Sequence, residues 1–216
     1  MSTCLTIAAK APRPGQVKTR LAAAVGDVAA AELYGAFLLD LAARFPDAAW
    51  FVTPLAEWEK APNSYLGRSA RLLAQPTGDW TERQRAFFRG AAARGEERSV
   101  LVASDSPQLR DEVVAEAFAL LDRHELVLGP VTDGGYYLIG MHGWHDVLAG
   151  IEMSTSSVLA DLVSGACAQG LRVALVESTY DVDEVADLEL LALDAAVRDD
   201  LPATRAALAT LGKVAA

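Results

Sequence analysis

At 216 residues and a formal net charge of −10 at pH 7, the chain is long enough to bury one substantial core without disulfide or metal staples. Its acidic balance excludes nucleic acid as a partner, because gripping a phosphate backbone needs a broad basic surface, and no apolar run approaches the ~20 residues of a membrane-spanning helix. The two cysteines, Cys4 and Cys167, are too few and too far apart for a zinc or disulfide framework; with no signal peptide, because Lys10, Pro12, Pro14 and Gly15 break the first apolar stretch at once, free thiols in a reducing cytoplasm are expected.

In chain order, Leu5–Ala9 is a short, continuously apolar run, as a buried parallel strand requires. Leu33, Phe37, Leu38 and Leu41 recur at helical spacing and predict a helix over Val28–Arg44. Ala49–Thr53 reads as a strand, Leu55–Ala61 as a short helix, Pro62–Gly67 as loop and Arg71–Gln75 as a strand. The turn Pro76-Thr77-Gly78-Asp79 precedes a helix that Thr81 could cap and that runs to about Arg94. Ser99–Ala103 is the clearest buried strand and ends in Ser104-Asp105-Ser106-Pro107. A helix over Leu109–Arg123, a strand over Glu125–Leu128 and a strand over Tyr136–Met141 follow. Helices are expected over Trp144–Ile151 and Ser157–Gln169, a strand over Leu171–Glu177, and a mostly helical Val182–Leu211 broken near Pro202. Alternation of this kind predicts a single α/β domain with a mainly parallel sheet and helices on both faces. Trp50, Trp58 and Trp144 suit core or interface equally, so the oligomeric state stays open, a homodimer included.

The segment after the first strand, Lys10–Leu21, carries Lys10, Arg13, Lys18 and Arg20, and the first carboxylate of the chain is Asp27. Cations without acidic neighbours at the carboxyl end of a strand predict an anion site, best suited to a di- or triphosphate. A P-loop is not the device: Val17 stands where its glycine would precede Lys18, and no glycine lies five residues further upstream. Asp105 follows a buried strand on the same expected rim. It suits either a helix cap or a ligand of a divalent cation, which needs few protein carboxylates when phosphate oxygens and water complete its shell. Asp133-Gly134-Gly135 reads as a tight turn or as backbone that lets a ligand approach closely, with Tyr136 or Tyr137 available to pack on a base or sugar. In Asp181-Val182-Asp183-Glu184, Asp183 is a natural N-cap or a second metal ligand. His124, His142 and His145 lack metal spacing, and neither a Gly-x-Ser-x-Gly elbow nor a Gly-x-Gly-x-x-Gly fingerprint occurs.

Taken together, AKAPRPGQVKTRLA, GDWTERQRAFF, VASDSPQL, LGPVTDGGYYLIG, MSTSSVL and DVDEVADL, in that order, resemble a bacterial family of small glycosyltransferase-A-like proteins. That family lies in the nucleotide-diphospho-sugar transferase superfamily, which includes the molybdenum-cofactor and phospholactate nucleotidyltransferases. The resemblance implies a GT-A-like fold whose basic loop grips a nucleotide's phosphates through Lys18 and Arg20, with Lys10, Arg13 and Gly15 beside them. It implies magnesium or manganese at Asp105, with Asp183 as a second ligand. Asp79 and Arg83 fall in a family Gly-Asp-x-x-x-Arg string on the nucleotide side, and Asp133, Gly134 and Gly135 in an acceptor-side loop. Two departures matter. Ala103 stands where sugar transferases usually carry the first aspartate of Asp-x-Asp, and Glu184-Val185 follow Asp183 where Thr-Pro is usual.

The expected activity is therefore a metal-dependent transfer from a nucleotide-activated donor to a small-molecule acceptor. Nucleotidyl transfer from a nucleoside triphosphate to a phosphate or carboxylate comes first. Glycosyl transfer from a nucleotide-sugar is the alternative, with Asp133 as base; a non-catalytic nucleotide or phosphometabolite binder is the second alternative. The catalytic set is Lys18, Arg20, Asp105 and Asp133.

Overall fold

In the computed structural model, which describes residues 2–60, 65–67, 70–153 and 155–214, the apolar runs become strands β1 (Thr3–Lys10), β2 (Ala49–Thr53), β3 (Arg71–Ala74), β4 (Arg98–Ala103), β5 (Leu126–Pro130), β6 (Tyr136–His142) and β7 (Val173–Leu175). They form one sheet in the order β3-β2-β1-β4-β6-β5-β7. All neighbours are parallel except that β6 runs antiparallel to both β4 and β5. The turn that joins β5 to β6 is far too short for a parallel crossover, so that pair must reverse.

Eight helices are seen among the described residues: α1 (Thr19–Val25), α2 (Asp27–Arg44), α3 (Leu55–Lys60), α4 (Trp80–Ala93), α5 (Asp111–Leu120), α6 (Val158–Ala168), α7 (Val185–Val197) and α8 (Pro202–Val214). The period of two along each strand divides the core between the sheet's faces. Ile7, Trp50, Val52, Val100 and Val102 pack with Phe37, Leu41, Val113 and Leu191 from α2, α5 and α7. Ala8, Phe51, Leu101 and Ile139 pack with Phe87, Phe88 and Leu162 from α4 and α6. Helices thus cover both faces, as the alternation predicts. Trp50 and Trp58 belong to the core, while Trp144 lies under the Arg89 guanidinium, 5.2 Å from its ring centroid.

Several local expectations shift. The first helical stretch is two helices, because Gly26 at φ 88° ends α1 and precedes Asp27 of α2. Asp79, not Thr81, caps α4: its side chain accepts from the Glu82 amide at 2.8 Å. Trp144–Ile151 forms turns rather than a helix. Its buried Val147 and Leu148 plug the second core, so the apolar spacing reflects packing and not helical periodicity. The break at Pro202 separates α7 from α8, with proline at the first helical position where its missing N–H costs nothing. There the buried Asp40 carboxylate accepts from the amides of Ala203 (2.9 Å) and Thr204 (2.8 Å), tying α8 to α2. Of the expected loop Pro62–Gly67, residues 62–64 lie outside the described residues.

From β1 the chain proceeds outward to β2 and β3, then crosses back to β4 on the other side of β1. The carboxyl ends of β1 and β4 therefore flank a topological switch point, where the outgoing loops diverge and leave a crevice.

Candidate functional site

A cavity of about 480 Å³ occupies that crevice. Its walls are Ala8–Lys10 at the end of β1, Val17–Arg20 at the start of α1, Ala103–Asp105 at the end of β4, and Asp181 with Asp183 before α7. Gln75, Trp80, Arg83 and Tyr136 close the opposite side.

At its centre is Lys18. The residue holds left-handed backbone angles, φ 48° and ψ 44°, the only positive φ outside glycine among the described residues. A side chain pays for that conformation in steric strain, on the order of 1–2 kcal/mol. Its side chain is only 3% exposed, yet the ammonium touches Asp105 Oδ1 and lies 3.1 Å from Asp183 Oδ1. The rings of Tyr34 and Phe37 each sit 5.9 Å from Nζ, within cation–π range. Burial works against the charge, but the carboxylates of Asp105 and Asp183 outweigh it and raise the lysine above its ordinary value.

Below the ammonium lies a hydroxyl relay. The buried Tyr34 hydroxyl accepts from the Lys10 amide at 3.1 Å and shares a 2.7 Å hydrogen bond with Ser104 Oγ. Burial, reinforced by the Asp105 charge, pushes this phenol up to about 12, so it stays neutral. Asp105 itself is half-open to solvent on its side chain, and its carbonyl accepts from Val182 N at 3.0 Å. That bond fastens the Asp181–Asp183 segment to the end of β4. Asp181 accepts from Ser106 Oγ at 2.5 Å, and burial followed by the nearby Asp105 charge pushes it up to about 7.

Asp183 does not cap α7. The Asp187 side chain takes the amides of Asp183 (2.8 Å) and Glu184 (2.7 Å), which leaves the Asp183 carboxylate free for Lys18 and for Arg20, whose Nη1 lies 3.9 Å away. Across the cavity, Arg83 donates to Gly78 O (3.0 Å) and Gln75 Oε1 (3.1 Å) and has no carboxylate partner among the described residues; neither has Lys10. Tyr136 donates to the fully buried Gln84 Oε1 at 2.9 Å.

The structure thus brings Lys10, Lys18, Arg20, Arg83, Asp105 and Asp183 to one cavity, while other residues singled out in the sequence lie elsewhere. Arg13 pairs with Glu57, Gly15 takes a positive φ of 75° in the turn before Lys18, and Asp79 caps α4. Asp133 closes the β5–β6 turn by accepting from Gly135 N at 2.9 Å and is not a wall of the cavity. The close approach at Gly134 is to protein backbone: a Cβ there would stand 2.0 Å from Ser156 O, and Gly134 O accepts from Leu159 N. Tyr136 faces the cavity, whereas Tyr137 points away and donates to Glu177 O at 2.8 Å.

Asp181, Tyr34, Ser104 and Gln75 were not singled out as ligands or catalysts. For Asp181 the sequence holds a signal, since it and Asp183 alternate with the apolar Val182 and so share a side of an extended segment. Tyr34 had none, because it lies on the apolar stripe of α2. Among the described residues no group of three or more His, Cys, Asp or Glu side chains is arranged to hold a metal ion, and no helix is long and apolar enough to cross a membrane.

The model of a family described as "Uncharacterized protein conserved in bacteria (DUF2064)" matches residues 38–155. A 3-phospho-D-glycerate guanylyltransferase of Phenylobacterium zucineum (strain HLK1) is 32% identical over 188 residues, 79% of this chain and 81% of its own. Among solved structures, a protein described as a nucleotide-diphospho-sugar transferase from Desulfovibrio desulfuricans G20 matches with a TM-score of 0.89 at 31% identity, over 99% of this chain and 97% of its own. A cytidylyltransferase from Leptospira borgpetersenii serovar Hardjo-bovis (strain JB197) matches with a TM-score of 0.58 over 100% and 95% of the two chains. Its 13% identity makes that a likeness of fold alone.

Proposed function

The chain belongs to the DUF2064 family and has the fold of the nucleotide-diphospho-sugar transferases, and from that premise we propose that it transfers a nucleotidyl group from a nucleoside triphosphate to a small anionic acceptor. The observation that carries the reading is the ammonium of Lys18, buried between two half-exposed carboxylates at the switch point of the sheet. Cation and carboxylates side by side suit a polyphosphate, whose oxygens take the cations directly and the carboxylates through a divalent ion. The guanylyltransferase relative supports GTP as donor and a phosphorylated hydroxy acid as acceptor.

In the proposed reaction an acceptor oxygen attacks the α-phosphorus, a new P–O bond forms, and the bond to the β-phosphate breaks to release pyrophosphate. No protein nucleophile is required. Lys18, Lys10 and Arg20 hold the phosphates and offset the charge that grows on the leaving pyrophosphate, a largely electrostatic and positional form of catalysis. Arg83, fixed by Gln75 and Gly78, presents a guanidinium to an anionic group on the far side of the cavity. Trp80 and Tyr136 line the cavity and are the rings available to pack on the base.

Magnesium or manganese, when bound, would neutralise charge on the phosphate oxygens, and Asp105 and Asp183 are the residues that would hold it. The donor set fits: two carboxylates already share one cation through Oδ1, and such an ion takes one or two carboxylates with phosphate oxygens and water completing its shell.

A donor and acceptor screen tests the reading. With magnesium, GTP and 3-phospho-D-glycerate or a related acid, acceptor-dependent release of pyrophosphate is expected. Release of a nucleoside diphosphate from a nucleotide-sugar would replace it with glycosyl transfer, the chemistry suggested by the name of the Desulfovibrio protein. Nucleotide binding without turnover of any donor would refute both.

A further inference from the structure

The placement of Lys18 assigns that residue a second task, which rests on the proposed metal site at Asp105 and Asp183. We propose that its ammonium is a built-in counter-ion that holds the metal carboxylates until a polyphosphate draws it away, so that nucleotide and metal are admitted together.

Three carboxylates, Asp105, Asp181 and Asp183, wall one side of the cavity. The side-chain ammonium that reaches them from inside the fold is Lys18, and it contacts Asp105 and Asp183 at once. Arg20 approaches Asp183 only to 3.9 Å and from solvent, with its side chain 69% exposed. A divalent ion held by Asp105 and Asp183 and the Lys18 ammonium on the same oxygens would be like charges competing for the same partners, and burial would strengthen that repulsion. Metal alone must therefore displace Lys18 without offering it a new partner. A triphosphate would offer one, because phosphate oxygens placed in the same cavity accept from an ammonium as a carboxylate does.

The fold also shows how the lysine is kept at this post. Its carbonyl accepts from Ala22 N at 2.7 Å, which anchors the backbone at its left-handed φ, and the side chain runs inward over the rings of Tyr34 and Phe37. Only the end of the side chain has to move for the exchange. Each site thus biases the other through one charge, which is a coupling free energy between two ligands and must be reciprocal.

Mn²⁺ alone, followed by its electron paramagnetic resonance signal in the absence of nucleotide, reads the exchange directly. Lys18→Met keeps the stem and removes the charge; its Kd for Mn²⁺ is expected to fall about tenfold below that of the wild type, within the range usual for coupled sites. Its affinity for GTP should fall over the same comparison. An unchanged or weaker Mn²⁺ affinity in Lys18→Met overturns the exchange. Asp105→Asn in the same assay separates the two readings: loss of Mn²⁺ there with no gain in Lys18→Met removes the exchange but leaves the metal site. Mn²⁺ binding indifferent to both Asp105→Asn and Asp183→Asn removes the metal site and the exchange with it. Should Lys18→Met fail to fold, the ¹⁵Nζ resonance of Lys18 in the wild-type protein serves instead. A shift and faster proton exchange on saturation with Mg²⁺ and GTP is expected, and an unmoved resonance refutes the proposal.

Discussion

The relay under the site can be weighed by removing a single oxygen. Tyr34→Phe keeps the ring beneath Lys18 but deletes the hydroxyl that accepts from Lys10 N at 3.1 Å and bonds Ser104 Oγ at 2.7 Å. Tyr34 is 3% and Ser104 2% exposed, so both hydroxyls are withdrawn from bulk solvent. An orphaned buried N–H costs about 1–3 kcal/mol and a lost hydroxyl bond adds about 1, so the substitution should destabilise the fold by about 2–4 kcal/mol. At about 2–4 °C per kcal/mol for a chain of this size, Tm should drop by about 5–15 °C. The measurement is thermal unfolding of the unliganded protein followed by circular dichroism. Repeating it in a Ser104→Ala background isolates the shared bond, where a coupling of about 1 kcal/mol is expected for groups in direct contact. A Tyr34→Phe protein melting within a degree of wild type, or strictly additive variants, would show that the hydroxyl ties nothing together.

Other consequences are quicker to check. Asp105→Asn should lower the rate of pyrophosphate release by about 100-fold or more under the proposed function, and it should also lower Tm, because it takes one of two carboxylate partners from the buried Lys18 ammonium; full activity would remove it from the candidate site. Gly134→Ala should cost more than about 3 kcal/mol in chemical denaturation, since the new Cβ combines φ +92° with a 2.0 Å approach to Ser156 O, whereas Gly165→Ala in α6, with open space around it, should stabilise by about 0.5–1 kcal/mol. Equal effects at the two glycines would refute the packing described for the β5–β6 turn. The Arg198 hydrogen bond, opposed by burial and aided by Arg44, brings Asp200 down to about 2. Because the folded value lies below the unfolded one, the associated stability is present above about pH 4 and is lost as pH falls towards 2. The Asp200 side chain is 44% exposed, so solvent limits the effect to about 1 kcal/mol. Asp200→Asn should flatten the acid limb of the stability curve between pH 4 and 2, and an unchanged limb would count against the pair.

The class of fold and about half of the candidate site were legible in the chain before any contact was known. Apolar runs such as Ser99–Ala103 and the helical spacing of Leu33, Phe37 and Leu41 are local signals, and local sterics and burial suffice to make strands and helices of them. Lys18, Arg20, Asp105 and Asp183 were legible because each lies just after a strand, just before a helix or in a helix's first turn, where the chain turns at the sheet's rim. Which groups meet depends on how distant segments pack. Lys18 and Asp183 are 165 residues apart and touch because β1 and β4 are neighbours and Val182 N reaches back to Asp105 O. The choice of Asp187 rather than Asp183 to hold the start of α7 depends on side-chain reach, and both residues suit a helix start equally well in sequence. The same holds at Gly134, where a glycine that could have admitted a ligand instead admits the carbonyl of Ser156. Residue type and spacing state what each group can do; which partner it finds depends on packing between segments distant in the chain, because an isolated carboxylate or ammonium has no preference until burial removes water as the competing partner.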